Sequence, residues 1–239
     1  RRSPTLTVVV PIYNEQAALP GFHARLIGVL NTLPNACRLL YVDDGSWDAT
    51  PQLLQALSAA DERVRVLHLS RNFGHQAALT AGLDHADTEV VITLDGDGQH
   101  PPELIPEMLR LNAAGYQIVP TQRLDASGPS AFKRWTAGLF YSLLNRIADT
   151  RVVPGAADFR LLSRAAADGL RQMREHHRFL RGMVSWMGFR TIILPYAPSD
   201  RMAGTSKYSL RKMVRLALDA AFSFSLAPLW IGLSVGLVF

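Results

Sequence analysis

Val90-Val91-Ile92-Thr93-Leu94-Asp95-Gly96-Asp97-Gly98-Gln99-His100, followed at once by Pro101-Pro102-Glu103, reads as a buried strand that runs into an acidic turn. Apolar and β-branched residues from Val90 to Leu94, bounded by turn formers, predict a strand buried on both faces. Asp95 and Asp97 then stand at its C-terminal end, where open α/β sheets bind ligands. Residues two apart in an extended chain point the same way, so both carboxylates share a side. Gly96 and Gly98 are expected to leave room for a bulky, charged ligand near the backbone. The carboxylates of Asp95 and Asp97 and the amide oxygen of Gln99 make a hard-oxygen cluster, suited to Mg²⁺ or Mn²⁺ bridging phosphates. The plain alternative is an acidic surface turn, since Asp-Gly is a common turn pair.

The rest of the chain weighs between these. Its hydrophobic fraction is 48% and its charged fraction 19%, enough apolar material for a large core. The formal net charge of +5 fits an anionic partner: nucleic acid, a membrane surface or a phosphorylated substrate. The motifs below favour the last two and no nucleic acid. One cysteine, Cys37, excludes an internal disulfide and a multi-cysteine metal site. The histidines are scattered except for His176-His177, and they read as non-ligands. Leu6–Val10 is too short for a signal-peptide core.

Leu6–Val10 reads as a first strand that Pro11 closes, with Tyr13, Asn14 and Glu15 beyond its end. Helical periodicity over 17–33 leads to a second strand over 38–42, followed by Asp43-Asp44-Gly45-Ser46. Ser46 or Asp48 is placed to cap a helix over 50–60. A third strand over 64–69, a turn at 70–74 and a helix over 75–86 precede the Asp-Gly-Asp strand. Alternating strands and helices predict a mostly parallel α/β sheet with right-handed crossovers. Three strand ends carrying acidic or polar residues then converge on one crevice. A dinucleotide fold would place G-x-G-x-x-G after the first strand, and that spacing occurs nowhere; neither does a phosphate-binding Walker loop.

Val9-Val10-Pro11-Ile12-Tyr13-Asn14-Glu15, Val42-Asp43-Asp44-Gly45-Ser46 and Leu94-Asp95-Gly96-Asp97-Gly98-Gln99 resemble the ordered motifs of inverting family-two glycosyltransferases with the GT-A fold. Ser70–Ala78, Asp158-Phe159-Arg160-Leu161, Arg178–Gly182 and the late stretch Arg201–Tyr208 narrow the resemblance to bacterial relatives of dolichyl-phosphate mannose synthase, which load a sugar onto polyprenyl phosphate. The Gln-x-x-Arg-Trp pattern of processive polysaccharide synthases is missing, since Arg134-Trp135 lacks the glutamine.

The chemistry of such a transfer assigns the residues. A leaving diphosphate needs charge compensation, which a divalent ion at Asp95, Asp97 and Gln99 would supply as a Lewis acid. Asp43 and Asp44 can accept hydrogen bonds from a uracil or guanine edge or a ribose, and Tyr13 can stack on the base. By resemblance Pro11, Asn14 and Glu15 belong to the same nucleotide-sugar wall. A phosphate monoester has a second pKa of about 6, so near neutral pH it is a dianion that needs cationic positioning more than a base. By resemblance Arg123 and Arg134 hold this acceptor phosphate, while Arg201 and Lys207 close over the phosphate groups. Pro120-Thr121-Gln122-Arg123 departs from the family's commoner Gly-x-Arg. Asp158 lies in the block where the family keeps a catalytic-site acid, serving in acceptor positioning or as a base. Asp97 and Asp158 are therefore the expected catalytic residues.

Apolar residues at 132, 135, 139, 140, 143, 144 and 147 form a helical stripe suited to core packing or to a membrane interface. Lys207, Arg211 and Arg215 recur every four residues, and 220–239 is twenty residues without a charge, long enough to span a bilayer. The basic cluster before it places the catalytic part on the cytoplasmic side of the inner membrane. The expected organisation is a GT-A domain at 1–208, a basic juxtamembrane helix at 209–219 and a transmembrane helix at 220–239, the first of several in a truncated chain. The expected reaction moves a hexose from UDP-hexose or GDP-hexose to polyprenyl phosphate, with inversion, for cell-envelope glycan modification. A sugar-hydroxyl acceptor or a non-catalytic nucleotide-sugar scaffold are the rival readings. Oligomeric state is left open, a homo-oligomer included.

Overall fold

The computed structural model describes residues 5–34, 36–124, 156–175 and 180–197. Seven strands form one sheet: β1 (Leu6–Ile12), β2 (Cys37–Asp43), β3 (Val64–His68), β4 (Val90–Thr93), β5 (Ile118–Arg123), β6 (Ala156–Ser163) and β7 (Leu194–Tyr196). Their order is β3-β2-β1-β4-β6-β5-β7. The β1–β2, β2–β3, β1–β4 and β5–β7 pairs are parallel, whereas β6 runs antiparallel to both β4 and β5. The helices are α1 (Leu19–Asn31), α2 (Thr50–Ala60), α3 (His75–His85), α4 (Ile105–Ala113), α5 (Arg164–Gln172) and α6 (Leu180–Trp186).

β1 is the axis of the core. All seven of its residues are buried, as a parallel strand covered on both faces requires. The alternation of side chains sorts them. Leu6, Val8, Val10 and Ile12 pack with Phe22 and Leu26 of α1 and with Ile105 and Met108 of α4. Val9 faces the other way, toward Ala78, Leu79 and Leu83 of α3, Ala166 and Leu170 of α5, and Met183 of α6. Period-2 alternation thus builds two cores from one apolar run.

Pro11 does not close β1; the strand runs on through Ile12, with Pro11 opposite Val42. Val9 accepts the Leu94 N–H at 3.0 Å, so Pro11, two residues on, faces the same neighbour. The β1–β4 ladder ends at the Val9–Thr93 pair, and the missing proline donor opens no gap in it. The predicted caps of α2 also differ. The cap position is Ala49, without a side-chain bond. Asp48 instead takes the Thr50 N–H at 2.9 Å and the Gln16 N–H at 3.3 Å, and Ser46 Oγ takes the Asn14 N–H.

Gly96 also packs closely against the end of β1. A Cβ there would lie 2.2 Å from Ile12 Cδ1 and 3.4 Å from the Pro11 carbonyl. The acidic turn is pressed onto the end of β1, and a side chain there would require the Ile12 side chain to move.

Among the described residues no helix is long and apolar enough to cross a membrane. The apolar stripe at 132–147, the basic helix expected at 209–219, the 220–239 segment, and Arg134, Arg201 and Lys207 all lie outside the described residues.

Candidate active site

Because β1, β2 and β4 are parallel, their C-terminal ends open on one edge of the sheet. Two loops there are knitted together. Asn14, held at φ 52°, takes the Trp47 N–H on its Oδ1 at 3.0 Å while its own N–H goes to Ser46. Glu15 N–H goes to Thr50 Oγ1, and Gln16 Oε1 accepts the Ala49 N–H. Asn tolerates the left-handed backbone region better than most residues, which fits it to this corner. Pro11 is buried, and Tyr13, Asn14 and Glu15 are half-buried along this rim.

Asp43 and Asp44 are 2% and 3% exposed, and their oxygens already have partners. Asp43 accepts the Ser46 N–H and bonds His68 Nδ1 at 2.9 Å. Asp44 accepts the N–H groups of Phe73 and Gly74, at 2.8 and 2.9 Å. Gly74 is the residue before α3, so the Asp44 carboxylate sits at that helix's positive end. Gly45 completes the junction: its φ is +69°, and a Cβ would fall 2.4 Å from the Arg71 backbone. Asp44 therefore anchors the start of α3, a role that the sequence reading did not include.

That anchor places His75, the first residue of α3, between two carboxylates. Its Nε2 lies 2.7 Å from Asp95 Oδ1, and its Nδ1 faces Asp158 Oδ2 at 3.9 Å. Asp95 Oδ2 bonds His100 Nε2 at 3.1 Å, and His100 Nδ1 bonds the Tyr196 hydroxyl at 2.6 Å. Asp97 accepts from the Gln99 backbone N–H at 3.0 Å and from its side-chain Nε2 at 2.7 Å. Gln99 Oε1 is turned to Arg123 Nη1 at 3.0 Å.

Asp158, 3% exposed on β6, carries two guanidiniums. Arg181 grips it with Nε at 3.2 Å and Nη2 at 2.8 Å, and the buried Arg160 bonds its Oδ1. Arg181 is brought here by Gln76, whose Oε1 accepts the Leu180 N–H and starts α6 against α3. Burial pushes the Asp158 carboxyl upward, but Arg181 first and Arg160 next outweigh it and hold it below the usual carboxylate range. A carboxylate so held is a weak base, which favours positioning over proton abstraction.

Burial opposes the His75 imidazolium, yet the charge and hydrogen bond of Asp95, then Asp158, raise its pKa from 6.5 to about 9. Burial raises the Asp95 carboxyl too, and His75 and His100 more than reverse it, leaving it well below its ordinary value. The linkage has a definite sign. A raised folded pKa contributes stability that is fully present below 6.5 and lost as pH rises through about 9. Urea unfolding from about pH 6 to pH 10 should show this decline in the wild-type protein and a flatter curve in His75→Gln. Equal slopes would remove the charge from His75. The ring is 41% exposed, so solvent screens the pair and the effect is modest.

Comparison with known proteins decides the family. The model of glycosyl transferase family 2 matches residues 7–171, which include every residue of this site except Arg181 and Tyr196. The chain belongs to glycosyl transferase family 2. It is 38% identical over 232 residues to an uncharacterized glycosyltransferase of Bacillus subtilis, across 97% of this chain and 72% of that protein. It is 37% identical over 232 residues to the bactoprenol glucosyl transferase of Shigella phage SfV, across 97% of this chain and 76% of that protein. The fold is similar to that of a mannosyltransferase from Pyrobaculum calidifontis in complex with GDP-Man and Mn²⁺, with a TM-score of 0.57, 19% identity, and coverage of 84% of this chain and 59% of that one.

The candidate site thus brings together Asp95 with Asp158 through His75, and Asp97 and Gln99 with Arg123, out of the residues expected from sequence. It also contains His75, His100, Arg160, Arg181 and Tyr196, which that reading left out. The histidines read only as non-ligands for a metal, and two of them, His75 and His100, bond Asp95. The available signal was position: His75 and Arg181 fall inside family-like blocks, Ser70–Ala78 and Arg178–Gly182.

Asp95 and Asp97 are hard-oxygen donors of the kind a divalent ion takes. Among the described residues no three His, Cys, Asp or Glu side chains form a cage. Mg²⁺ does not need one, because it commonly uses one or two carboxylates, waters and substrate phosphates. Asp95 and Asp97 supply such carboxylates. Gln99, the third expected donor, turns its amide oxygen to Arg123 and its nitrogen to Asp97.

Proposed function

We propose that this glycosyltransferase moves a hexose from a UDP- or GDP-linked donor to the phosphate of a polyprenyl lipid, inverting the anomeric centre. The observation that carries the reading is the pairing of Asp158 with Arg160 and Arg181. A hydroxyl nucleophile needs a base to take its proton, and this carboxylate is poorly suited to that task. A phosphate dianion needs no such base and is drawn to positive charge. The relatives named as bactoprenol glucosyl transferases, 37% identical over nearly the whole chain, support the same acceptor.

In this reading Pro11, Tyr13, Asn14 and Glu15 with Asp43 and Asp44 line the nucleotide side. Asp95 and Asp97 would hold Mg²⁺ or Mn²⁺, which when bound supplies Lewis-acid compensation for the leaving diphosphate. Arg123, oriented by Gln99, faces the acceptor with Arg134; Arg201 and Lys207 close over the phosphates. An acceptor phosphate oxygen forms the new bond to the anomeric carbon as the bond from that carbon to the diphosphate oxygen breaks. His75 and His100 keep Asp95 ionised and oriented during the exchange. The apolar 220–239 segment and its basic approach hold the enzyme at the cytoplasmic face of the inner membrane.

A panel of UDP- and GDP-hexoses tests the reading, assayed in vesicles that contain either polyprenyl phosphate or the free polyprenol. Nucleoside diphosphate release is expected with the phosphate lipid alone, by an enzyme that floats with the vesicles. Equal transfer to both lipids would return the sugar-hydroxyl acceptor to first place. No release with any donor would favour a nucleotide-sugar scaffold.

A further inference from the structure

β3 runs parallel to β2, so its last residue, His68, stands beside Asp43 at the sheet edge that holds the site. The two are register partners, and Nδ1 of His68 lies 2.9 Å from Asp43 Oδ2. Their exposures differ: the Asp43 side chain is 3% exposed and that of His68 48%. Asp43 Oδ1 accepts the Ser46 N–H at 3.0 Å, so each carboxylate oxygen already has a donor. A ligand that approaches this pair from solvent meets the imidazole before the carboxylate.

The carboxylate fixes the tautomer. An ionised carboxylate only accepts, so Nδ1 is the ring nitrogen that carries the hydrogen. The neutral imidazole then leaves Nε2 as a bare acceptor. Among the described residues Nε2 has no hydrogen-bond partner. An acceptor held in this way selects a ring N–H. Uracil and guanine carry one, at N3 and at N1. Cytosine and adenine present a lone pair at those same ring positions. A lone pair set against Nε2 leaves both acceptors without a hydrogen, which a built site rejects.

We infer that His68, held in one tautomer by Asp43, reads the donor's nucleobase by accepting its ring N–H at Nε2. The inference rests on the nucleotide-sugar reading above and moves the base contact from Asp43 to the histidine. Asp43 is then a positioning residue that acts through His68. The pair selects uracil over cytosine, or guanine over adenine, whichever ring size the crevice takes.

Calorimetric titration of the full chain in detergent micelles tests it, with UDP, CDP, GDP and ADP as probes, each with Mg²⁺. The wild-type protein should bind UDP roughly tenfold more tightly than CDP, or GDP than ADP if the crevice takes a purine. His68→Ala should bring that ratio to within about twofold, because the acceptor is gone. Asp43→Asn should erase or reverse it, since the amide can turn an N–H to Nδ1 and move the ring hydrogen to Nε2. A merely structural role for His68 would weaken all four ligands alike and keep the ratio, which overturns the inference. A ratio that survives in Asp43→Asn overturns the tautomer that the inference needs. Should the alanine variant not fold, the imidazole nitrogen resonances of the wild-type protein decide. Nε2 of His68 should carry no hydrogen, and its resonance should move with UDP or GDP and not with CDP or ADP; a protonated or unresponsive Nε2 overturns the inference. A wild-type protein that binds nucleotides without preferring the N–H bases overturns it as well, and leaves the nucleotide reading standing. If none of the four binds, the nucleotide reading itself fails.

Discussion

Asp97→Asn is expected to lower turnover by roughly two to three orders of magnitude, the size of effect seen when one preorganised electrostatic contact to developing charge is removed. The substitution keeps size and removes one negative charge. Asp97 stands on the turn after β4 and accepts from Gln99 on both oxygens. Both of these bonds are local to the turn, so the fold should persist and the urea midpoint should stay close to wild type. The measurement is nucleoside diphosphate release across a Mn²⁺ and Mg²⁺ titration. The variant should need far more metal, and the wild-type enzyme should lose activity in EDTA. Undiminished wild-type turnover in EDTA would end the divalent-ion reading, and full activity of Asp97→Asn would remove this residue from it.

Asp158→Asn should act on the fold as much as on the reaction. It leaves Arg160, 4% exposed, without its anionic partner. Removing one member of a buried ion pair costs about 3–5 kcal/mol, because the remaining charge stays desolvated. The urea midpoint should fall with little change in slope. Arg160→Met in the same background should recover part of the loss, since a buried pair replaced by apolar groups is often near neutral. A cost below about 0.5 kcal/mol would mean that Arg160 finds other compensation. The pH profile gives a second check. Because the folded pKa of Asp158 is depressed, its contribution to stability is present above the ordinary carboxylate range and lost as pH falls through the lowered value. A low-pH limb in kcat that vanishes in Asp158→Asn would restore it as a base.

Much of the architecture was legible one residue at a time. Leu6–Ile12 and Cys37–Asp43 are apolar runs, and runs of that kind are parallel strands covered on both faces. α2 was predicted at Thr50–Ala60 and found there, and α3 was missed by one residue. The antiparallel course of β6 was not legible. Ala156–Ser163 inserts between β4 and β5, and no local pattern encodes a neighbour more than sixty residues away.

By itself the sequence determined which carboxylates stand at strand ends, because a strand followed by a turn places Asp43, Asp44, Asp95 and Asp97 there by local geometry. Only the tertiary structure decided what those carboxylates meet. Asp44 meets the start of α3 from a different strand, and His75 joins Asp95 to Asp158 across separations of 20 and 83 residues. Arg181 reaches Asp158 because α6 packs on α3. A histidine or an arginine in a linear chain is compatible with solvent, with an ion pair or with a site. Its role is set by the electrostatic field around it, and that field exists once the sheet has brought distant charges to one edge.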